Sequence, residues 1–170
     1  MRVYVPLTLS GLAEAHRAGH LGAGPLAAYA VTPALREWVL SDDIEELEYA
    51  ALSRAALASL RLLAADAGAA RRRVVVAADV PDGTVSAGPD RGAEATPGEV
   101  RVDGAVPLAK AAAVHVDSAD AEPDVAAAAE ALAAAEGGDG DARSVVEGAE
   151  DHELLWYATQ EIPNLVGADG

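Results

Sequence analysis

Val74-Val75-Val76-Ala77-Ala78-Asp79-Val80 is the stretch of sequence that decides the fold. Its side chains are apolar at every position except Asp79, without the alternation of a strand that has one face in water. Pro81-Asp82-Gly83 follows with residues typical of a turn. The stretch therefore predicts a central strand, covered on both faces, in the middle of a sheet.

A long helix precedes this strand and is predicted over residues 42–66. Ser41-Asp42-Asp43 supplies the N-cap, and the acids that crowd the first turns complement the helix dipole. Apolar residues recur at helical spacing along a stripe wide enough to cover a sheet: Ile44, Leu47, Ala51, Ala55, Ala58 and Leu62.

The remaining pattern alternates strands and helices. Strands are predicted over 2–6, 26–31, 100–102 and 108–116, with helices starting after Thr8 or Ser10, at Thr32-Pro33 and at Glu122-Pro123. Together these elements predict one α/β or α+β domain with a mixed sheet of about five strands packed with helices. Some antiparallel pairing is expected around 98–116.

The domain is predicted to span residues 1–165, followed by a flexible tail at 166–170. Residues 84–98 are rich in Gly, Pro, Ser and Thr without periodicity and predict a mobile loop. A Gly/Asp-rich stretch at 137–141 predicts a break between helices. A C-terminal helix that carries Trp156 is predicted over 142–161 and ends before Pro163.

Composition excludes several classes of chemistry. The 170 residues contain no cysteine, so disulfides, thiolate metal sites and thiol nucleophiles are ruled out. The net charge is −16, and residues 84–170 hold four basic and 18 acidic side chains, a net −14. Such a field repels nucleic acid, apart from a patch at Arg71-Arg72-Arg73, and fits either a basic protein partner or an ordinary acidic surface that keeps the protein dissolved.

The sequence also predicts a cytoplasmic protein. The first residues contain no apolar segment typical of an export signal. No apolar run approaches the roughly 20 residues that a membrane-spanning helix needs. We therefore expect neither export nor membrane insertion, and the oligomeric state stays open.

Candidate catalytic residues follow two of the predicted strands. Asp79 and Asp117 stand at strand carboxyl ends, where open α/β sheets collect functional groups. His115 lies two residues before Asp117, on the same face of the strand. A carboxylate beside an imidazole can act as a general acid or base, although an Asp after a strand is often only a turn residue.

A second cluster lies in the predicted C-terminal helix. His152 and Glu153 are further catalytic candidates, and Trp156, Tyr157 and Glu161 are candidate ligand-binding residues, because spacing of four residues would place them on one helix side. Trp38, on the short helix after Pro33, is another candidate for ligand binding. The alternative is that the aromatic rings only dock the helix on the sheet.

Metal and cofactor motifs are incomplete. His152-Glu153 begins like a zinc-protease helix, but Trp156 stands where the second histidine is required. His16 and His20 have helical spacing without a nameable third ligand. Pro25 interrupts the glycine pattern of a dinucleotide site, so we predict no cofactor and no metal.

Six segments of the sequence resemble a small conserved protein family of high-GC Gram-positive (actinobacterial) bacteria that has no assigned function. The segments are 1–6, 30–38, 45–51, 71–81, 115–123 and 150–165. This resemblance implies a single-domain cytoplasmic protein, and it implies no activity, cofactor or catalytic residue.

Two hypotheses follow for function. The first is a non-enzymatic interaction or regulatory module that uses the acidic half and the aromatic C-terminal helix. The second is a small-ligand-binding protein or hydrolase-like enzyme with a pocket of His, Asp and Glu side chains. The second hypothesis requires His115 and His152, which are distant in sequence, to line one cavity.

Overall fold

A computed structural model describes residues 1–22, 24–88 and 97–167, which form one α/β domain around a seven-stranded sheet. Strand β4, Val74–Asp79, lies inside the sheet, as predicted. It pairs with β1, Arg2–Leu7, on one side and with β8, Ala111–Val116, on the other. All five side chains from Val74 to Ala78 are buried, which is why the stretch is apolar on both faces.

The sheet is antiparallel throughout the described residues, in the order β5-β6-β3-β1-β4-β8-β9. The other four strands of this sheet are β3 (Leu26–Tyr29), β5 (Val85–Ala87), β6 (Glu99–Val102) and β9 (Leu155–Tyr157). A separate ribbon joins β2 (His20–Leu21) to β7 (Val106–Pro107). The main sheet therefore has seven antiparallel strands, whereas a mixed sheet of about five was predicted. Strands as short as β5 and β9 have too few residues to show a period in the sequence.

Helices cover both faces of the sheet. Their bounds are α1 (Leu9–Ala18), α2 (Pro33–Val39), α3 (Ile44–Ala65), α4 (Glu122–Glu136), α5 (Gly140–Glu150) and α6 (Ile162–Gly167). Helices α1 and α6 cover the face that includes Val74 and Val76, and α2 and α3 cover the face that includes Val75 and Ala77. Helices α4 and α5 pack on the C-terminal half of α3, around Leu60 and Leu63.

The predicted helix starts are confirmed by their caps. The side chains of Thr8, Thr32 and Asp43 accept hydrogen bonds from backbone N–H groups in the first turns of α1, α2 and α3. On α3, Leu47, Ala51 and Ala55 are buried as predicted. Ile44 and Leu62 are exposed instead. In the C-terminal half of α3 the buried side chains are Ser59, Leu60 and Leu63, and α4 packs against the two leucines.

Ser59 shows how closely α3 lies on the sheet. Its hydroxyl donates to Leu7 O (2.7 Å) and accepts from Val74 N (3.0 Å), although the side chain is fully buried. The helix is thereby bonded to both β1 and β4, at the end of β4 where the cavity described below opens.

The prediction of a C-terminal helix over 142–161 is wrong. Helix α5 ends at Glu150, and the chain then crosses to form β9 along the outer edge of β8, with Trp156 opposite His115. The backbone of β8 would otherwise present an unpaired edge, and pairing with residues 155–157 satisfies it. The Gly/Asp-rich break is shorter than predicted, because Asp139 caps α5.

The other predicted boundaries fall partly outside the described residues. Within the predicted loop at 84–98, residues 85–87 form β5, and 89–96 lie outside the described residues. Within the predicted tail, Val166 and Gly167 belong to α6, and 168–170 lie outside the described residues. Among the helices of the described parts, none combines the length and apolar character needed to cross a bilayer.

Candidate ligand-binding cavity

A cavity of about 690 Å³ opens between α3 and the chain that joins α5 to β9. Its volume falls within the range of about 300–1,000 Å³ that is typical of small-molecule sites. Aliphatic and small side chains of α3, together with Leu154, form part of the lining. The other lining residues are exposed aromatic rings, arginines and further titratable groups: Trp38, Tyr49, Arg54, Arg73, His115, Glu150, His152, Glu153 and Trp156.

Aromatic side chains from three elements stand around the cavity. Trp38 comes from the last turn of α2, Tyr49 from α3, and Trp156 from β9, and these rings are 58 %, 58 % and 63 % exposed. Large aromatic side chains usually anchor packing, because burying one removes a large apolar area from water. Three exposed rings at one cavity therefore make an apolar surface that a ligand can cover.

Arg54 is the cationic group at this cavity that has no carboxylate partner among the described residues. Its guanidinium carbon lies 4.0 Å from the centre of the Trp38 ring, a cation–π contact. Its Nε is buried without a hydrogen-bond partner. Burial lowers the pKa of the Arg54 guanidinium, and Arg61 lowers it further.

A buried ion pair fixes one wall of the cavity. Arg73 Nε and Nη2 donate to the carboxylate of Asp117, each at 2.8 Å, and both side chains are almost completely buried. Nη2 also donates to Ala149 O (2.9 Å) and His152 O (3.0 Å). Arg73 thus attaches the end of α5 and the cavity-lining segment after it to the start of β4.

Two titratable side chains at the cavity have shifted pKa values. Burial lowers the pKa of His115, with a smaller contribution from Arg2, so its imidazole is neutral at pH 7. Burial raises the pKa of Glu150, Glu147 raises it further, and Arg73 acts in the opposite direction. His152 Nε2 lies 2.7 Å from Asp124 Oδ2, which ties the cavity wall to α4.

The structure brings five of the predicted site residues to this one cavity. His115, His152, Glu153, Trp156 and Trp38 all line it, although they come from four separate segments of the fold. His115 and His152 therefore share one cavity, as the second functional hypothesis requires. Their convergence comes from β9, which places residues 152–156 beside β8.

The remaining predicted residues lie elsewhere or are already engaged. Because the sheet is antiparallel, Asp79 and Asp117 lie at opposite ends of it, and Asp79 pairs with Arg2 at 2.8 Å. Asp117 bonds Arg73 rather than His115. Tyr157 projects to the opposite face from Trp156 and packs on the core beneath α1 and α6, and Glu161 accepts from Ala158 N.

The predicted arginine patch and the predicted histidine pair both include side chains that form hydrogen bonds within the protein. Arg71 donates to Leu63 O and Asp66 O, and Arg72 donates to Asp117 O, so these groups bind the protein's own backbone. Helix α1 ends before His20, which donates to Gly22 O instead. Among the described residues no group of three or more candidate ligands is placed to hold a metal ion.

The sequence analysis missed Tyr49, Arg54 and Glu150, and it placed Arg73 only in a basic patch, although all four line the cavity. Tyr49 and Arg54 both lie on α3, but a separation of five residues places them about 140° apart around the helix, so no one-sided sequence pattern marked them. Which side of a helix faces a cavity depends on the opposite wall, and here that wall comes from residues more than 60 positions later.

The described residues form a single-domain α/β protein with an antiparallel main sheet. A cavity of small-molecule size, lined by aromatic side chains, lies beside the edge strand β9. The chain belongs to a family of unknown function, DUF6912, whose sequence model matches residues 1–166. The expectation of a family without an assigned function is thereby confirmed. No curated protein and no solved structure matches the chain.

Proposed function

We propose that this protein binds a small organic molecule with a planar apolar part in the cavity between α3 and β9. The observation that carries the proposal is the grouping of Trp38, Tyr49 and Trp156 around a cavity of about 690 Å³. The site matches the usual composition of a ligand pocket, an apolar lining with a few polar groups that fix orientation. A cytoplasmic location in an actinobacterium remains part of this proposal.

A neutral aromatic probe, 2-naphthamide, tests the proposal. The protein contains two tryptophans, so its two indole N–H signals in a ¹H–¹⁵N NMR spectrum report on Trp38 and Trp156 directly. We expect both signals to shift on titration, together with the backbone amides of the residues that line the cavity. Shifts confined to another surface, or no binding at millimolar probe, would contradict the proposal.

A matched pair of variants shows whether the probe occupies this cavity. Ser53→Phe places a ring in the cavity, and we expect affinity for 2-naphthamide to fall at least about tenfold, because the space is filled. Ala64→Phe adds the same ring at an exposed position of the same helix outside the cavity lining. That variant should bind as the wild type does.

A second candidate function is recognition of a basic, extended protein segment. It is supported by the position of β9 at the edge of the described sheet, where Leu155 and Trp156 are 45 % and 63 % exposed in an acidic protein. An added strand could pair with such an edge. The aromatic C-terminal helix first expected to carry this role does not form.

The same NMR experiment separates the two functions. A peptide of alternating lysine and valine should shift the amides of residues 155–157 at low salt and lose its effect at about 0.5 M salt, where charges are screened over a few ångströms. The matched peptide of alternating glutamate and valine should not bind. No shift with the lysine peptide would reject this second candidate.

A further inference from the structure

Arg54 differs from the other arginines that the described structure buries wholly or partly. Arg71, Arg72 and Arg73 each donate to backbone or carboxylate oxygens. Arg54 makes no such bond, and its Nε is buried at the cavity without an acceptor. Because the Arg54 guanidinium lines the cavity, a ligand oxygen that reaches its terminal nitrogens would form a charge-assisted hydrogen bond.

The charges that line the cavity set how much negative charge a ligand can carry. Asp117 already neutralises Arg73, and Asp124 lies against His152. His115 is uncharged, and the carboxyl groups of Glu150 and Glu153 stand at the same cavity. Arg54 can therefore pair with one ligand carboxylate, since neither Glu150 nor Glu153 forms an ion pair with it, whereas a phosphate monoester with nearly two negative charges would meet these carboxylates without a second free cation among the described residues.

We infer that the natural ligand is an aromatic or conjugated monocarboxylate, whose carboxylate pairs with Arg54 and whose ring lies among Trp38, Tyr49 and Trp156. This inference rests on the proposed function and specifies its ligand class. A guanidinium presents donors in a planar fork that fits a carboxylate, which explains an arginine at this position. The contact with Trp38 holds that fork at the cavity.

A cationic aromatic ligand is the main competing class, because tryptophan and tyrosine rings also surround quaternary ammonium groups in proteins. Here Arg54 already occupies a face of Trp38, and its charge would repel a second cation. The observations therefore favour the carboxylate, and the cation becomes one arm of the test.

Three probes that share a naphthalene ring test the inference by calorimetry at pH 7.5 and low salt. They are 2-naphthoate, the neutral 2-naphthamide and the cationic 2-naphthyltrimethylammonium. We expect 2-naphthoate to bind at least about tenfold more tightly than the amide, and the cation to bind most weakly, because a bond to a charged group is stronger than one to a neutral group.

Variants then assign the preference to Arg54. Arg54→Gln should remove the advantage of naphthoate over naphthamide, taken as the ratio of the two affinities in the same variant, and Arg54→Lys should keep part of it. Arg61→Gln makes the same change seven residues later on α3, outside this cavity, and should keep the whole advantage. Amide affinity measured for every variant verifies that its cavity is intact.

The outcomes separate the inference from the proposed function. If the amide or the cation binds wild type as tightly as naphthoate, or if Arg54→Gln and Arg54→Lys both keep the full preference, the inference is overturned and the cavity remains a ligand site. If none of the three probes binds, the inference and the proposed function both fail.

Discussion

Arg73 joins three segments of the chain that are far apart in sequence. It stands directly before β4, pairs with Asp117 after β8, and donates to the carbonyls of Ala149 and His152. Side chain and backbone donors of Arg73 both reach the Asp117 carboxylate, with Arg73 N at 2.7 Å from Oδ2. One residue thus sets the position of the cavity wall relative to the sheet.

Removing the carboxylate should destabilise the protein strongly. We expect Asp117→Ala to lower the free energy of unfolding by about 3–5 kcal/mol, because it leaves the buried guanidinium of Arg73 without its counter-charge. Urea unfolding followed by circular dichroism measures the change.

Asp79→Ala is the matched control, since Asp79 is the last residue of β4 and also pairs with an arginine, but at the surface. Its loss should not exceed about 1 kcal/mol. Similar losses for the two variants, or a loss below about 1 kcal/mol for Asp117→Ala, would contradict this account of the buried pair.

Asp117 also shows which features of the site the sequence can predict and which it cannot. Its place at the end of a strand next to His115 was predictable, and so was the candidacy of His115, His152 and Trp156. Its partner was not, because Arg73 and Asp117 are 44 residues apart and meet only when β4 and β8 pair. Arg54 carries no local pattern at all, since its environment is made by Trp38 and the opposite wall.

At the scale of elements, helix α2 ends in an unusual way. Leu40 adopts a left-handed conformation, with φ of 59°, and its side chain is 88 % exposed. Leu40 N donates to Arg36 O in the bond that closes the helix. Glycine is the usual residue at such a position, because a Cβ in this conformation strains the backbone.

Replacing this residue should therefore stabilise the protein. We expect Leu40→Gly to raise the free energy of unfolding by about 0.5–1 kcal/mol, since the strain disappears and little apolar burial is lost. Equilibrium urea unfolding would detect the shift in midpoint.

Gly19→Ala is the reverse change at the corresponding end of α1, where φ is +83° and no atom lies within 4 Å of an added Cβ. It should lower stability by about 1 kcal/mol, from backbone strain alone. A destabilised Leu40→Gly variant would show that the Leu40 side chain makes contacts that outweigh its backbone strain.

The elements differ in how far they could be predicted. Helices α1 to α4 and strands β1, β4 and β8 carry caps, periodicity or apolar runs long enough to identify them. Strand β9 has three residues, and the segment around it also matches helical spacing, so its pairing with β8 decides its structure. The ribbon of β2 and β7 is shorter still and could not be predicted from pattern.

At the scale of the whole molecule, negative charge is the dominant feature. The net charge is −16, and the described exposed ion pairs, such as Arg2–Asp79 and Arg61–Glu136, each contribute little stability. Repulsion among the unpaired carboxylates therefore opposes the compact state, and dissolved salt weakens this repulsion.

Salt should consequently stabilise the protein. Raising sodium chloride from about 20 mM to about 300 mM shortens the screening length to several ångströms, and we expect the melting temperature to rise by roughly 2–4 °C. Differential scanning calorimetry measures the change.

The double variant Glu130→Gln and Glu147→Gln removes two exposed charges from α4 and α5 and should melt higher at low salt while responding less to added salt. A melting temperature that falls with salt would mean that attractive pairs outweigh the repulsion.

The strand order also determines how this chain must fold. The two strands at the centre of the sheet come from residues 2–7 and 74–79, and the last strand comes from residues 155–157. During synthesis, all of α3 and β4 must emerge before β1 can pair with β4, its longest partner. Such distant pairings slow folding, and the cavity can close only after residues 152–156 have left the ribosome.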